Sequence, residues 1–322
     1  MALIKILMAV YNGGKYIEKQ IESILNQSFN DFTIKISDDG SDDNTADIAE
    51  LYMKRCPGKI EFVKRQAHVK GAGENFFSLL DEAALYNNSY DICGRQEASC
   101  GYIMLSDQDD VWLPDKIKKT YMRMRALEKR YSKNMPCLVH TNLSTVDENL
   151  NIIHRDMASY MNMNPGCCRL NRLLTENNVT GNTIMINRAF LKAYRRPQEY
   201  VMHDWWLALT ASCIGKTSYI DEPLVLYRQH GKNLLGAKNA LSAEVIKNRI
   251  KDKEQVRQNY RLMYAQASEL LKNYKITGNK KILIDEFIKL QYKSRPQKIV
   301  SIIRNRFFKN TAIMTLGEML NI

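Results

Sequence analysis

Over its first 118 residues the chain alternates short strand-like stretches with segments of helical periodicity, parted by polar breaks, and holds no internal sequence repeat. The apolar stretches "LIKILMAV" (3–10), "FTIKIS" (32–37), "IEFVKR" (60–65) and "GYIMLS" (101–106) read as strands. Between them, "YIEKQIESILNQ" (16–27) has apolar residues at 17, 21, 24 and 25, the helical period. "DDGSDDNTADIAELYMKR" (38–55) gathers Asp and Ser where a helix start wants them, and "GENFFSLLDEAALY" (73–86) reads as a third helix. Strands alternating with helices predict an α/β domain with a largely parallel sheet. Ligands of such sheets bind beyond the carboxyl ends of the strands. Tyr11, Asp38–Asp39 and Asp107–Asp110 all fall at such ends, so three strand ends are expected to converge on one crevice.

Further along, a basic helix is expected over 115–131, strand–turn–strand over 136–153, and irregular chain over 155–180. A strand running into a helix follows at 182–194, then a helix at 203–215 and a strand region at 217–233. The 322 residues, 45% hydrophobic and 25% charged, suffice for one large domain and a smaller appendage. No run of eighteen apolar residues spans a membrane. The opening "MALIKILMAVYNGG" lacks the charged head and cleavage site of a signal peptide, so it reads as a buried strand of a cytoplasmic protein. Seven cysteines at no metal-binding spacing read as reduced thiols. The net charge is +12, and residues 236–322 hold 18 Lys+Arg against 7 Asp+Glu, or +11 of it. A basic segment on a neutral domain suits an anionic membrane surface or nucleic acid.

"MLSDQDDVWLPDKI" (104–117) crowds Asp107, Asp109 and Asp110 at the end of a strand. Magnesium and similar hard cations take one or two carboxylates with phosphate oxygens and water, and such a metal steadies a departing diphosphate. A solvated turn ahead of the basic helix is the alternative for Asp-x-Asp alone. Asp38 and Asp39 can accept from a base N–H or ribose hydroxyls, or serve the start of the next helix.

These blocks carry a resemblance. "AVYNGGKYIEKQIESILNQSFNDFTIKISDDGSDDNT" (9–45) followed by "GYIMLSDQDDVWLPDKI" (101–117) resembles a family-2 glycosyltransferase of the GT-A fold, bacterial enzymes that add sugars to polysaccharide or O-antigen precursors. It is strong over 3–118, thinner but recognisable to about 235, and weak or absent beyond about 240. It implies a Rossmann-like mixed sheet flanked by helices over 1–235, with nucleotide- and metal-binding residues in 1–118 and the acceptor half in 119–235. Residues 236–322 would form a basic helical extension.

By the same resemblance, Ala9, Tyr11, Asp38, Asp39 and Asn75 would line the nucleotide pocket, with Asp39 on a uracil or thymine N–H. Asp109 would bind Mn²⁺ or Mg²⁺ directly. Asp107 would contact ribose or the metal's waters, with Gln108 beside it on the nucleotide side, and Asp110 would support the turn. The donor implied is a UDP- or dTDP-sugar. Two departures stand out: "DICGRQEASCGY" (91–102) is a long connection, and position 9 is alanine where threonine or serine is usual.

Inverting transfer needs a base for the acceptor hydroxyl's proton. Asp204 in "HDWW" (203–206) matches the family's acid, and apolar neighbours strengthen a carboxylate as a base. Trp205 and Trp206 offer faces for sugar C–H surfaces, and Asn182 is expected on the acceptor side. In "YRQHGKN" (227–233), Arg228 is expected on phosphate and His230 in the metal shell. A serine or cysteine nucleophile with a base is not apparent, which favours single displacement.

The tail "SRPQKIVSIIRNRFFKN" (294–310) reads as a basic amphipathic helix for an anionic membrane face near a lipid-linked saccharide acceptor, or as a packed subdomain. A nucleotidyltransferase would open with a glycine-rich basic phosphate loop, and "YNGGKY" is a poor one. Nucleic acid is not an expected partner, because the tail lacks regularly placed aromatics.

Overall fold

The computed structural model describes residues 3–65, 71–88, 100–230 and 253–321. His68, Cys93, most of the long connection 91–102 and the predicted helical chain of 241–252 lie outside the described residues.

Strands β1 (Ile4–Val10), β2 (Phe32–Asp38), β3 (Ile60–Lys64) and β4 (Tyr102–Ser106) alternate with helices α1 (Ile17–Leu25), α2 (Thr45–Arg55) and α3 (Ala72–Asn88). Then come β5 (Val111–Trp112), α4 (Lys116–Tyr131), β6 (Cys137–Val146), β7 (Ile152–His154) and two short helices, α5 (Met157–Tyr160) and α6 (Leu170–Leu173). β8 (Met185–Asn187), α7 (Arg188–Ala193), α8 (His203–Ile214) and β9 (Lys216–Arg228) complete the sheet-bearing part. Helices α9 (Lys253–Asn273), α10 (Gly278–Lys289), α11 (Arg295–Asn305) and α12 (Ala312–Asn321) follow.

One sheet runs β3-β2-β1-β4-β8-β6-β9-β5, with β7 on β6. β3, β2, β1 and β4 are parallel, β8 is antiparallel to both neighbours, and β6 and β9 are parallel again. The sheet is therefore mixed rather than largely parallel, because the three-residue β8 inserts between β4 and β6. β1 shows why its sequence is apolar without alternation. Leu7 and Ala9 enter the core on one face of the sheet, while Ile4, Ile6, Met8 and Val10 enter the core on the other. A strand covered on both faces needs apolar residues throughout.

The register sets Val10 opposite Asp38 and Met8 opposite Ser106, so three parallel strands end side by side. The second helix begins at Thr45, and of the acidic run 38–43 it is Asp43 that serves this start, accepting from the Thr45 amide at 3.0 Å. Asp38 accepts from the Ser41 amide at 3.1 Å and its hydroxyl at 2.5 Å, and Asp43 accepts from the Gly14 amide at 3.0 Å. Gly40 takes φ +84° in this turn, a conformation that favours glycine. The acids thus tie the loop after β2 to the loop after β1.

The tail helices share the core of the sheet-bearing part. Ala267, Leu270, Ile284, Phe287, Ile302 and Phe307 are buried in one cluster with Phe76 of α3 and Trp206 of α8. α11 starts at a capping box between Ser294 and Gln297, with proline in its first turn. No helix among the described residues is long and apolar enough to cross a membrane.

Candidate active site

The loop from Asp107 to Asp110 joins β4 to β5, and each of its side chains has a different task. The Gln108 amide donates to the Tyr11 carbonyl at 2.9 Å and accepts from the Tyr11 amide at 2.8 Å. Gln108, expected on the nucleotide side, locks the acidic loop to the end of β1. A β-carbon at Gly13 would lie 2.2 Å from Gln108 Oε1, so this pairing requires glycine there. Tyr11 itself remains exposed.

His230 brings Nε2 to 2.9 Å from Asp109 Oδ2, and its ring stacks on Tyr16 with centroids 4.7 Å apart. Asp110 is fully buried; its Oδ1 accepts from the Arg228 amide at 3.1 Å and its Oδ2 from the Asn182 side chain. The turn role expected of Asp110 thus reaches two distant segments. Arg228, expected on phosphate, is buried and points inward. Its Nε donates to the Asp109 carbonyl at 2.8 Å and its Nη1 to the Glu148 carbonyl at 2.5 Å, with the guanidinium 4.7 Å from the Tyr16 ring centre. It braces the acidic loop against β9, which also pairs with β5 through Val111–Leu226 and Trp112–Val225.

Lys116 is a second buried cation of this region. Its side chain is fully buried and its Nζ lies 3.2 Å from the Trp112 ring centre. Burial pulls the ammonium well below its ordinary pKa, while Asp110 and Asp107 pull it back up. Burial likewise pushes Asp110 well up, reinforced by Asp109 and Asp107. Asp107 is pushed to about 7 by burial, then by the charges of Asp109 and Asp204. Tyr227 is raised by burial first and then by Asp110, Asp107, Asp109 and Asp204, so one tyrosine senses all four acids.

Asp204 stands at the start of α8, nearly buried, and accepts three hydrogen bonds. Asn177 Nδ2 at 3.0 Å and the Trp205 amide at 2.6 Å meet Oδ1, and the Gly181 amide at 3.1 Å meets Oδ2. Burial lifts its pKa to about 6, against these hydrogen bonds, which favour the charged form. The Gly181 amide that binds Asp204 directly precedes Asn182, whose side chain binds Asp110, so one turn links Asp204 to the acidic loop.

Asn182, expected on the acceptor side, is fully buried and serves Asp110. Trp206 is fully buried, its indole donating to the Arg195 carbonyl at 3.0 Å, and Trp205 donates to the Leu173 carbonyl at 2.5 Å. The two tryptophans anchor α8 in the core and present no open face to a sugar, which corrects the expectation from "HDWW". Ala9 is likewise a core residue. Asn75 donates to the Ser37 carbonyl at 2.9 Å and supports the end of β2 from beneath. Asp38 and Asp39 are buried at that end, with the Asp39 amide bonded to the Val10 carbonyl at 3.0 Å.

No group of three or more His, Cys, Asp and Glu able to hold a metal occurs among the described residues. Asp109 and His230 form a two-donor set at the edge of the buried acidic loop. Two protein donors suit a hard cation that completes its shell with phosphate oxygens and water.

The sequence profile of Glycosyl transferase family 2 matches residues 5–85. A dTDP-rhamnosyl transferase of Shigella flexneri, RfbG, is 30% identical over 253 residues, covering 74% of this chain and 76% of its own. An O-antigen biosynthesis glycosyltransferase of Escherichia coli, WbnJ, is 27% identical over 240 residues, 72% of this chain and 81% of its own. The crystal structure of S. aureus TarS 1-349 in complex with UDP-GlcNAc shares the fold with a TM-score of 0.57 at 16% identity, over 94% of this chain and 80% of that one. With strand ends, acidic loop and helix-borne carboxylate arranged as described, the chain belongs to the family-2 glycosyltransferases, enzymes of sugar transfer built on the GT-A fold.

Proposed function

We propose that the chain is a metal-dependent, inverting hexosyltransferase that uses a UDP- or dTDP-linked sugar and a saccharide acceptor, lipid-linked, in cell-surface polysaccharide assembly. The observation that carries this reading is Asp204: a buried carboxylate lifted by burial to about 6, linked through the Gly181–Asn182 turn to an acidic loop whose Asp109 sits beside His230. Asp109 and His230 would hold Mn²⁺ or Mg²⁺, which when bound supplies charge neutralisation to the diphosphate. Asp107 would face ribose or the metal's waters. Asp39, at the end of β2, suits the N–H of a pyrimidine base, with Asp38 beside it holding Ser41 and with Tyr11 exposed at the end of β1. The relative named for dTDP-rhamnose and the structure solved with UDP-GlcNAc both favour a pyrimidine nucleotide.

Asp204 accepts the proton of the acceptor hydroxyl as that oxygen attacks the anomeric carbon. The bond from that carbon to the diphosphate oxygen breaks, the nucleoside diphosphate leaves with the electron pair, and the anomeric configuration inverts. The Asn177, Trp205 and Gly181 donors hold the carboxylate in one orientation for this transfer.

The reading extends to the inner face of the plasma membrane, with residues 236–322 on anionic lipid. Val300 and Ile303 of α11 and Ile313 and Leu316 of α12 are exposed, although Ile302, Phe307 and Met314 of the same segment are buried. Exposed Arg295, Arg304 and Arg306 accompany them. Apolar side chains among cations suit an anionic bilayer surface.

A screen of UDP- and dTDP-sugars with and without Mn²⁺ or Mg²⁺, read by nucleoside diphosphate release, tests the reading. Failure of every nucleotide sugar to bind with metal present overturns it.

A further inference from the structure

We infer that the turn Gly181–Thr183 is a clamp that fixes the base Asp204 relative to the acidic loop, with Asn182 as its positioning residue. Two consecutive residues of this turn reach two carboxylates from different parts of the chain. The Gly181 amide donates to Asp204 Oδ2 at 3.1 Å, and the Asn182 side chain donates to Asp110 Oδ2. Asp110 passes the restraint on, because its other oxygen accepts from the Arg228 amide, two residues before His230.

The turn is held from its other sides too. Thr183 donates to the Thr180 carbonyl through its amide at 3.0 Å and its hydroxyl at 2.6 Å. The chain then enters β8, which pairs with β4 on one side and β6 on the other. Beneath Gly181 lies the His203 ring, buried and stacked on Phe76 with centroids 4.3 Å apart. A β-carbon at position 181 would lie 2.7 Å from His203 Nε2, so only glycine lets the turn rest on this ring. A short turn fixed to the sheet thereby sets the gap in which the acceptor hydroxyl and the anomeric carbon meet. Misplacement by about 1 Å at such a gap costs on the order of a hundredfold in rate.

This inference rests on the proposed transfer reaction. The test is an exchange of partners. Asn182→Asp sets two carboxylates against each other and is expected to lower kcat at least a hundredfold. Adding Asp110→Asn restores an amide–carboxylate pair in reverse, with the introduced side-chain oxygen still able to accept from the Arg228 amide, and is expected to recover at least tenfold. Asn182→Leu keeps the shape without the hydrogen bond. It is expected to lower kcat at least tenfold while Mn²⁺-dependent binding of UDP and dTDP, by calorimetry, changes less than threefold. An absence of recovery in the exchanged pair, or full kcat in Asn182→Leu, overturns the clamp. So does loss of nucleotide binding in parallel with kcat, which marks a merely structural role. Wild-type protein that binds neither UDP nor dTDP with Mn²⁺ overturns the transfer reaction itself.

Discussion

His230 Nε2 lies 2.9 Å from Asp109 Oδ2, joining residues 121 positions apart. The pair is held from behind. Arg228 bonds the Asp109 carbonyl, Asp110 bonds the Arg228 amide, and Tyr16 stacks on the His230 ring. Donors fixed this way would meet a cation with little reorganisation. Asp109→Ala and His230→Ala are each expected to weaken Mn²⁺-dependent UDP binding by at least about tenfold, or about 1.4 kcal/mol. Chelation of the metal should weaken wild-type binding as well and leave the two variants unchanged. Calorimetry with and without EDTA reads both effects.

Asp204 predicts the pH dependence of catalysis. Its proton-accepting form dominates above about 6, the value to which burial lifts it. The kcat is expected to be level above that pH and to fall about tenfold per unit below it. Asp204→Asn should lower kcat by about 10²–10⁴-fold with nucleotide binding retained, since general-base contributions are of that size. A profile unchanged between pH 5 and 8, or an active Asp204→Asn enzyme, would show that another group takes the proton.

What the sequence made legible followed from local periodicity and chain order. β1 and β4 were readable as apolar runs and β2 from its alternation, and the convergence of their ends follows from parallel order. Asp204 was singled out by the family resemblance of "HDWW", because a helix-start aspartate beside two tryptophans reads locally as a cap. Gln108, Arg228 and Asn182 each bond a partner more than 70 positions away, contacts that no local pattern encodes. Lys116 read as one more cation of a basic helix, because sequence does not reveal which lysine of a helix faces inward. The backbone donor at Gly181 has no side-chain signature. β5 is two residues long and exists only through its pairing with β9.

Two buried histidines predict how stability responds to acid. Burial lowers His140 and His203 each to about 3 from an ordinary 6.5. A depressed folded-state pKa in a base keeps the neutral form in the native state. The stability this represents is present above the unfolded value, near 6.5, and is lost as pH falls from there toward 3. At pH 5 the loss is about 2 kcal/mol for each histidine. Asp204 works in the opposite sense: its raised pKa favours the native state below about 4 and loses that advantage as pH rises through about 6. Urea midpoints of wild type and His140→Leu at pH 5 and 7 should show a smaller acid loss in the variant. Equal losses would mean that His140 is charged in the native state.

The tail gives the last prediction. Helices α11 and α12 each spend part of their apolar surface on the shared core, through Ile302 and Met314, yet keep Val300, Ile303, Ile313 and Leu316 in solvent. Packing on the catalytic part therefore leaves these four unexplained. Large exposed aliphatic groups gain about 1.5–3 kcal/mol each on full burial, and insertion at a bilayer surface captures part of this. Vesicles of phosphatidylglycerol and phosphatidylcholine are expected to sediment the protein, whereas pure phosphatidylcholine is not. Val300→Asp with Ile303→Asp should reduce the bound fraction at least about tenfold in apparent affinity, about 1.4 kcal/mol. Raising the salt should weaken binding further by screening the arginines. Nucleoside diphosphate release with a soluble acceptor should be the same in wild type and variant, because neither residue belongs to the site. Equal sedimentation by both vesicle types, or by wild type and variant alike, would remove the anionic bilayer as the partner of this face.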